Sequence, residues 1–120
     1  MSTKKILIID DDRVHLNFYA ELHKNTENNY DFFIAENGDE AMDLIQTEQP
    51  DKIILDLLIP GKNGFEILEF ISTQNKETKV YIVSNIQKSE AEKRIKKFPN
   101  IEYFEKVTTS SQTIKKLFEE

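Results

Sequence analysis

Four places in this sequence carry side chains that could do chemistry together: the run Asp10-Asp11-Asp12, then Asp56, Ser84 and Lys106. Each follows an apolar run: residues 6–9 before Asp10, 52–55 before Asp56, 80–83 before Ser84 and 101–104 before Lys106. If the first and third runs are neighbouring strands about 4.8 Å apart, the carboxylates at their ends converge. Like charges that close raise each other's pKa unless a cation sits between them. Oxygen donors, with no cysteine in the chain and no histidine expected nearby, favour Mg²⁺ or Ca²⁺ over zinc. A carboxylate, a divalent cation, a lysine and a hydroxyl form a set suited to phosphoryl transfer. The carboxylate is the nucleophile, and the cations and donors hold the oxygens of the transferring group.

The elements that would position this set follow from the apolar pattern. Residues 6–9, 30–35, 52–55, 80–83 and 101–104 read as strands. Between and after them, Val14, Phe18 and Leu22, then Ala41, Leu44 and Ile45, then Phe65, Leu68 and Ile71, then Ala91 and Ile95, then Ile114, Leu117 and Phe118 recur at helical spacing. The fourth helix is expected over residues 88–98, with the weakest periodicity of the five. Asn37-Gly38, Pro50 and residues 60–64 punctuate the pattern. Five β-α units imply a parallel sheet with helices on both faces, and strands that are apolar throughout fit burial on both sides. Right-handed crossovers make a doubly wound α/β arrangement the economical one. Sites in such sheets form beyond the carboxyl ends of the strands, where the four chemical positions lie.

Length and charge bound the function. The 120 residues fit one domain, residues 1–120. Sixteen basic against 22 acidic residues leave a net charge of −6, which argues against a nucleic-acid partner. There is no cysteine, so thiolate catalysis and disulfides are excluded and the composition suits the cytoplasm. No apolar run approaches the ~20 residues of a membrane span, and the aspartates directly after residues 6–9 do not fit a signal peptide.

The segments Ile-Leu-Ile-Ile-Asp-Asp-Asp and Asp51-Lys-Ile-Ile-Leu-Asp56-Leu-Leu-Ile-Pro60-Gly-Lys-Asn-Gly64-Phe-Glu, with Ser84 and Lys106, resemble the receiver domain of bacterial two-component response regulators. The resemblance covers the whole chain. It implies a flavodoxin-like sheet of order 2-1-3-4-5 with five helices. It implies a phosphoryl group accepted on Asp56 from a histidine kinase or histidine phosphotransfer protein, with output by contact with an unknown downstream protein. Asp10, Asp11, Asp56 and the main-chain carbonyl of Leu58 would hold Mg²⁺. Ser84 would bond the phosphoryl group, Lys106 would pair with it, and Tyr103 falls at the switch aromatic. On phosphorylation Ser84 would move inward and free space into which Tyr103 turns. Such a chain assists only its own phosphorylation and dephosphorylation and is otherwise no enzyme. Three positions depart from the pattern: Val107 stands where proline is usual, Asn85 where a small residue is usual and Asn63 where aspartate is common. The Lys106–Val107 peptide is therefore expected to be trans, because a cis bond without proline costs about 3–4 kcal/mol.

Other readings of the same residues exist. Asp12 fits a helix N-cap. Asp10-x-Asp12 also resembles the nucleophile motif of haloacid-dehalogenase-type phosphatases, with Asp10 as nucleophile, though Asp56 then has no role. A receiver-like module that binds without phosphorylation is a third. His15 and His23 read as exposed helix residues. Lys88, Lys93, Arg94, Lys96 and Lys97, interleaved with Glu90 and Glu92, read as a solvated face or a docking surface.

Overall fold

Apolar residues adjacent along a strand point to opposite faces, so a run such as residues 6–9 must be covered twice. The computed structural model, which describes residues 4–25, 30–61, 63–74, 77–106 and 109–119, shows both covers. The described residues form β1 (Lys4–Ile9), α1 (Arg13–Lys24), β2 (Tyr30–Ala35), α2 (Gly38–Glu48), β3 (Lys52–Leu55), α3 (Gly64–Gln74), β4 (Lys79–Ser84), α4 (Lys88–Ile95), β5 (Ile101–Glu105) and α5 (Ser111–Glu119). Every strand pairing is parallel, and the order is β2-β1-β3-β4-β5. The expected architecture is the observed one. None of the described helices is long and apolar enough to cross a membrane.

The alternation splits the core in two. Leu7, Ile9, Ile53, Leu55 and Ile82 pack against Ala41 and Ile45 of α2, Ile67 and Leu68 of α3, and Ala91 of α4. Ile6, Ile8, Ile54 and Val83 pack against Leu16 and Tyr19 of α1 and Ile114, Leu117 and Phe118 of α5. Together the two layers hide β1, β3 and β4 almost throughout, while the edge strands β2 and β5 keep exposed residues such as Asp31 and Glu102.

Helix ends follow local chemistry. The Asp12 carboxylate accepts from the Val14 N–H at 2.9 Å and caps α1, and the Asn37 side chain accepts from the Glu40 N–H at 2.9 Å and caps α2. Gln49, in left-handed backbone (φ 46°), closes α2 just before Pro50. α4 stops at Ile95, short of the expected end at residue 98. Phe98 precedes Pro99, whose ring disfavours the helical conformation for the residue before it. The chain instead turns, with the Phe98 N–H donating to the Ile95 carbonyl and Asn100 in left-handed backbone (φ 60°).

Candidate functional site

Register brings the acidic residues together. Ile9 pairs with Leu55, and the Asp56 N–H donates to the Ile9 carbonyl at 2.9 Å. Asp10 and Asp56, one residue past β1 and β3, thus leave the sheet side by side, 2% and 6% exposed. Asp11 is exposed at the rim. One carboxylate oxygen from each of Asp10, Asp11 and Asp56 lies within 4.8 Å of the others. Three hard oxygen donors that close, two of them buried, fit a divalent cation such as Mg²⁺.

Asp56 is the hub. Its Oδ1 accepts from the Ser84 hydroxyl at 3.1 Å and from the Leu58 N–H at 3.0 Å, and its Oδ2 accepts from the Lys106 ammonium at 2.7 Å. Ser84 is the last residue of β4 and fully buried, so the sheet fixes the backbone from which its hydroxyl reaches Asp56. Lys106 follows β5 and also meets Asp10 Oδ2 at 3.3 Å. Val107 lies outside the described residues, and the expectation for the Lys106–Val107 peptide falls there with it. Lys106 thus reaches both Asp56 and Asp10.

The loop after Asp56 is shaped by two glycines. Gly61 takes φ +83°, and the Pro60 carbonyl beside it accepts from the Gly38 N–H at 3.0 Å. Gly64 opens α3 against Leu57. A Cβ there would stand 2.5 Å from the Leu57 Cα, so only glycine lets the helix start so close. Leu57 is thereby buried, while Leu58 is 56% exposed above the site.

Charge balance at the site is uneven. Asp10 is held above its ordinary value, chiefly by burial and further by the Asp56 charge. The Asp12 N–H, which Asp10 Oδ1 accepts at 2.9 Å, and the Lys106 charge oppose the rise. Burial pulls the Lys106 ammonium down, yet its hydrogen bond and charge pairing with Asp56, and then Asp10, outweigh burial and raise it. Asp12 is lowered, first by the Val14 N–H. Its carboxylate is committed to capping α1, which leaves the phosphatase-type motif without its second acid.

Tyr103 is turned inward and 8% exposed, its hydroxyl donating to the Ile86 carbonyl. Burial, then the charges of Glu105 and Asp56, push its phenol up to about 12. The expected switch starts from an outward ring that follows Ser84 in. Here Ser84 already reaches Asp56 and the ring is already inside.

One site residue escaped the sequence reading. His15, read as an exposed helix residue, lies on the first turn of α1 with Nδ1 3.0 Å from the Lys106 ammonium and 3.3 Å from Asp10 Oδ2. Its contact with Lys106 spans 91 residues, which no local spacing encodes, although Asp10 and Asp12 stand just before it in the chain. His23 is likewise not free on the surface: its ring stacks on Phe32 at 4.8 Å between centroids.

Comparison with known proteins converges on one family. The response regulator receiver domain family matches residues 6–118. Sporulation initiation phosphotransferase F of Bacillus subtilis (strain 168) is 36% identical over 87 residues, a match covering 70% of this chain and 66%, just under two thirds, of that protein. Among solved structures, the signal receiver domain of the DNA-binding response regulator merR from Colwellia psychrerythraea 34H superposes with a TM-score of 0.80 at 28% identity, covering 98% of this chain and 99% of that one. Chemotaxis protein CheY4 of Vibrio cholerae has a TM-score of 0.82 at 22% identity, with 98% of each chain covered, a likeness of fold.

Proposed function

This chain belongs to the response regulator receiver domain family, which serves two-component phosphorelay signalling, and from that premise we propose that it accepts a phosphoryl group on Asp56. The donor is a phosphohistidine of a histidine kinase or phosphotransfer protein. A carboxylate oxygen of Asp56 forms the new P–O bond as the P–N bond to the imidazole breaks, and the leaving imidazole nitrogen takes a proton. Lys106 counters the charge on the transferring group. Ser84, held at the end of β4, offers it a hydrogen bond. The backbone N–H of Leu58 holds the acceptor carboxylate in place meanwhile.

Asp10, Asp11 and Asp56, with the Leu58 carbonyl, are the residues that would hold Mg²⁺. There the ion supplies positive charge to the phosphoryl oxygens. The fit rests on the donor set: three carboxylates meet one ammonium, so the site carries surplus negative charge. Ser84 and Tyr103 form the switch. Ser84 already donates to Asp56 and Tyr103 bridges from β5 to the Ile86 carbonyl after β4, so a phosphoryl group that takes over the Ser84 hydroxyl acts on the strand end that leads into α4. The readout is contact with a downstream protein in the cytoplasm, with neither nucleic acid nor membrane as partner. The chain's chemistry is confined to gain and loss of its own phosphoryl group.

The observation that carries this reading is the convergence of Ser84, Lys106 and the Leu58 N–H on one buried carboxylate, that of Asp56. Incubation with a phosphorylated histidine phosphotransfer protein and Mg²⁺ should add the mass of one acid-labile phosphoryl group. The Asp56→Asn variant should take none while keeping its circular dichroism spectrum. Persistent labelling of that variant would refute the assignment.

A further inference from the structure

An ammonium has three N–H bonds and can only donate. Around Lys106 stand three acceptors: Asp56 Oδ2 at 2.7 Å, His15 Nδ1 at 3.0 Å and Asp10 Oδ2 at 3.3 Å. The carboxylates belong to the site already described. The imidazole comes from another element and carries no role in it. Since an ammonium can only donate, Nδ1 is the acceptor in this contact. Asp10 Oδ2 at 3.3 Å and Asp12 Oδ2 at 3.5 Å also face Nδ1, but an accepting nitrogen has no hydrogen to donate to either.

We propose that His15 is a positioning residue for Lys106, the third leg of a tripod that aims the ammonium at Asp56. The proposal rests on the phospho-receiver reading above for the role of Lys106. Lysine has a flexible four-carbon stem, so two carboxylates alone leave its ammonium free to pivot between them. His15 is held where a third direction is needed. The Asp12 cap fixes the first turn of α1, and the ring stands at the rim with 37% of its side chain exposed. With His15 in place, the shortest contact of Lys106 is to Asp56. Without it, the ammonium can lean toward Asp10 and Asp12, away from the oxygens it must neutralise. Positioning of this kind acts on rate, because a displacement of about an ångström at a reacting group is costly.

Three proteins test this: the parent, His15→Leu, which cannot accept a hydrogen bond, and His15→Gln, whose amide oxygen can. The first readout is the ¹⁵N signal of the Lys106 ammonium, assigned by its loss in Lys106→Met. An ammonium held by three acceptors exchanges slowly with water, so the signal should be sharp in the parent and the Gln variant and broadened away in the Leu variant. The second is the rate of Asp56 labelling by phosphoramidate with Mg²⁺. It should fall about tenfold in His15→Leu and stay within about threefold of the parent in His15→Gln. An unchanged ammonium signal and rate in His15→Leu would overturn the proposal, and so would equal loss in both variants. If none of the three is labelled yet the ammonium signal follows the pattern, the positioning stands and the phospho-acceptor reading falls.

Discussion

A lysine stands at each end of the sheet, half-buried at one and buried at the other, and the two are treated differently. At the carboxyl end Lys106 meets the charges of Asp56 and Asp10. At the amino end Lys52, 5% exposed at the start of β3, donates to the Tyr30 hydroxyl at 3.1 Å and to the Leu117 carbonyl in the last turn of α5. Its ammonium also lies over the rings of Tyr30 at 4.9 Å and Tyr81 at 5.8 Å. Dipoles and ring faces thus tie β2, β3, β4 and α5 together at one end. At the other, three carboxylates crowd one ammonium, which leaves negative charge in surplus. The same residue type joins strands and a helix at one end and meets a surplus of carboxylate charge at the other.

Removing Lys52 should have the largest effect on stability. Lys52→Ala leaves the Tyr30 hydroxyl and the Leu117 carbonyl without this donor in a buried place and opens a void. Each mechanism costs on the order of 1–3 kcal/mol, so about 3 kcal/mol together. Urea unfolding measures this, and the folded protein should still be labelled at Asp56. A loss below about 1 kcal/mol would break the contrast between the ends, since ordinary surface changes cost that little.

At the carboxyl end the sign should reverse. Asp10 is raised above its ordinary value by burial, so its charge opposes folding at neutral pH. A carboxylate bound more tightly to its proton in the folded state favours folding below its unfolded value. That contribution is lost as pH climbs through its raised folded value. Asp10→Asn keeps an acceptor for the Asp12 N–H and leaves Lys106 paired with Asp56. It should therefore stabilise the metal-free protein at pH 7, on the order of 1 kcal/mol, with the gain shrinking toward acid pH. Millimolar Mg²⁺ should raise the melting temperature of the parent and raise it less in Asp10→Asn. Thermal scans at several pH values, with Mg²⁺ and with chelator, check both. A destabilised variant in chelator would show that Asp10 earns its place through pairing.

The contrast also sorts what could be seen in the sequence. Asp10, Asp56 and Ser84 were legible because strand ends are legible: an apolar run stopping at a polar residue gives the residue and its place at once. Lys106 was legible by its position after the fifth run. Lys52 was not, because a lysine opening an apolar run looks like any strand start, and its rings and carbonyl come from β2, β4 and α5. His15 was hidden the same way, as a polar residue on a polar helix turn. The end of α4 was misjudged because Ala91, Ile95 and Phe98 keep helical spacing past the point where Pro99 stops the helix. The inward ring of Tyr103 depends on a carbonyl 17 residues away, which spacing does not encode.

The smallest effect should come from Asp12, and it sharpens the comparison within the carboxyl end. Asp10 and Asp12 are two residues apart, yet burial raises one and the Val14 N–H lowers the other. A carboxylate lowered by folding stabilises the fold above its unfolded value, and that contribution is lost as pH falls through its folded value. Asp12 also sits at the positive end of the α1 dipole, where its charge is favourable but exposed and screened. Asp12→Ala should therefore lower the melting temperature slightly at pH 7, and the gap to the parent should close in acid. Asp12→Asn keeps an oxygen for the Val14 N–H without the charge, so its deficit should be smaller still. Mg²⁺ should raise the melting temperature of both variants as much as that of the parent, because neither change touches the donor set. Opposite signs for Asp10→Asn and Asp12→Asn at pH 7 are the expected signature. A shift in the same direction for both would mean that burial and capping do not separate these neighbours.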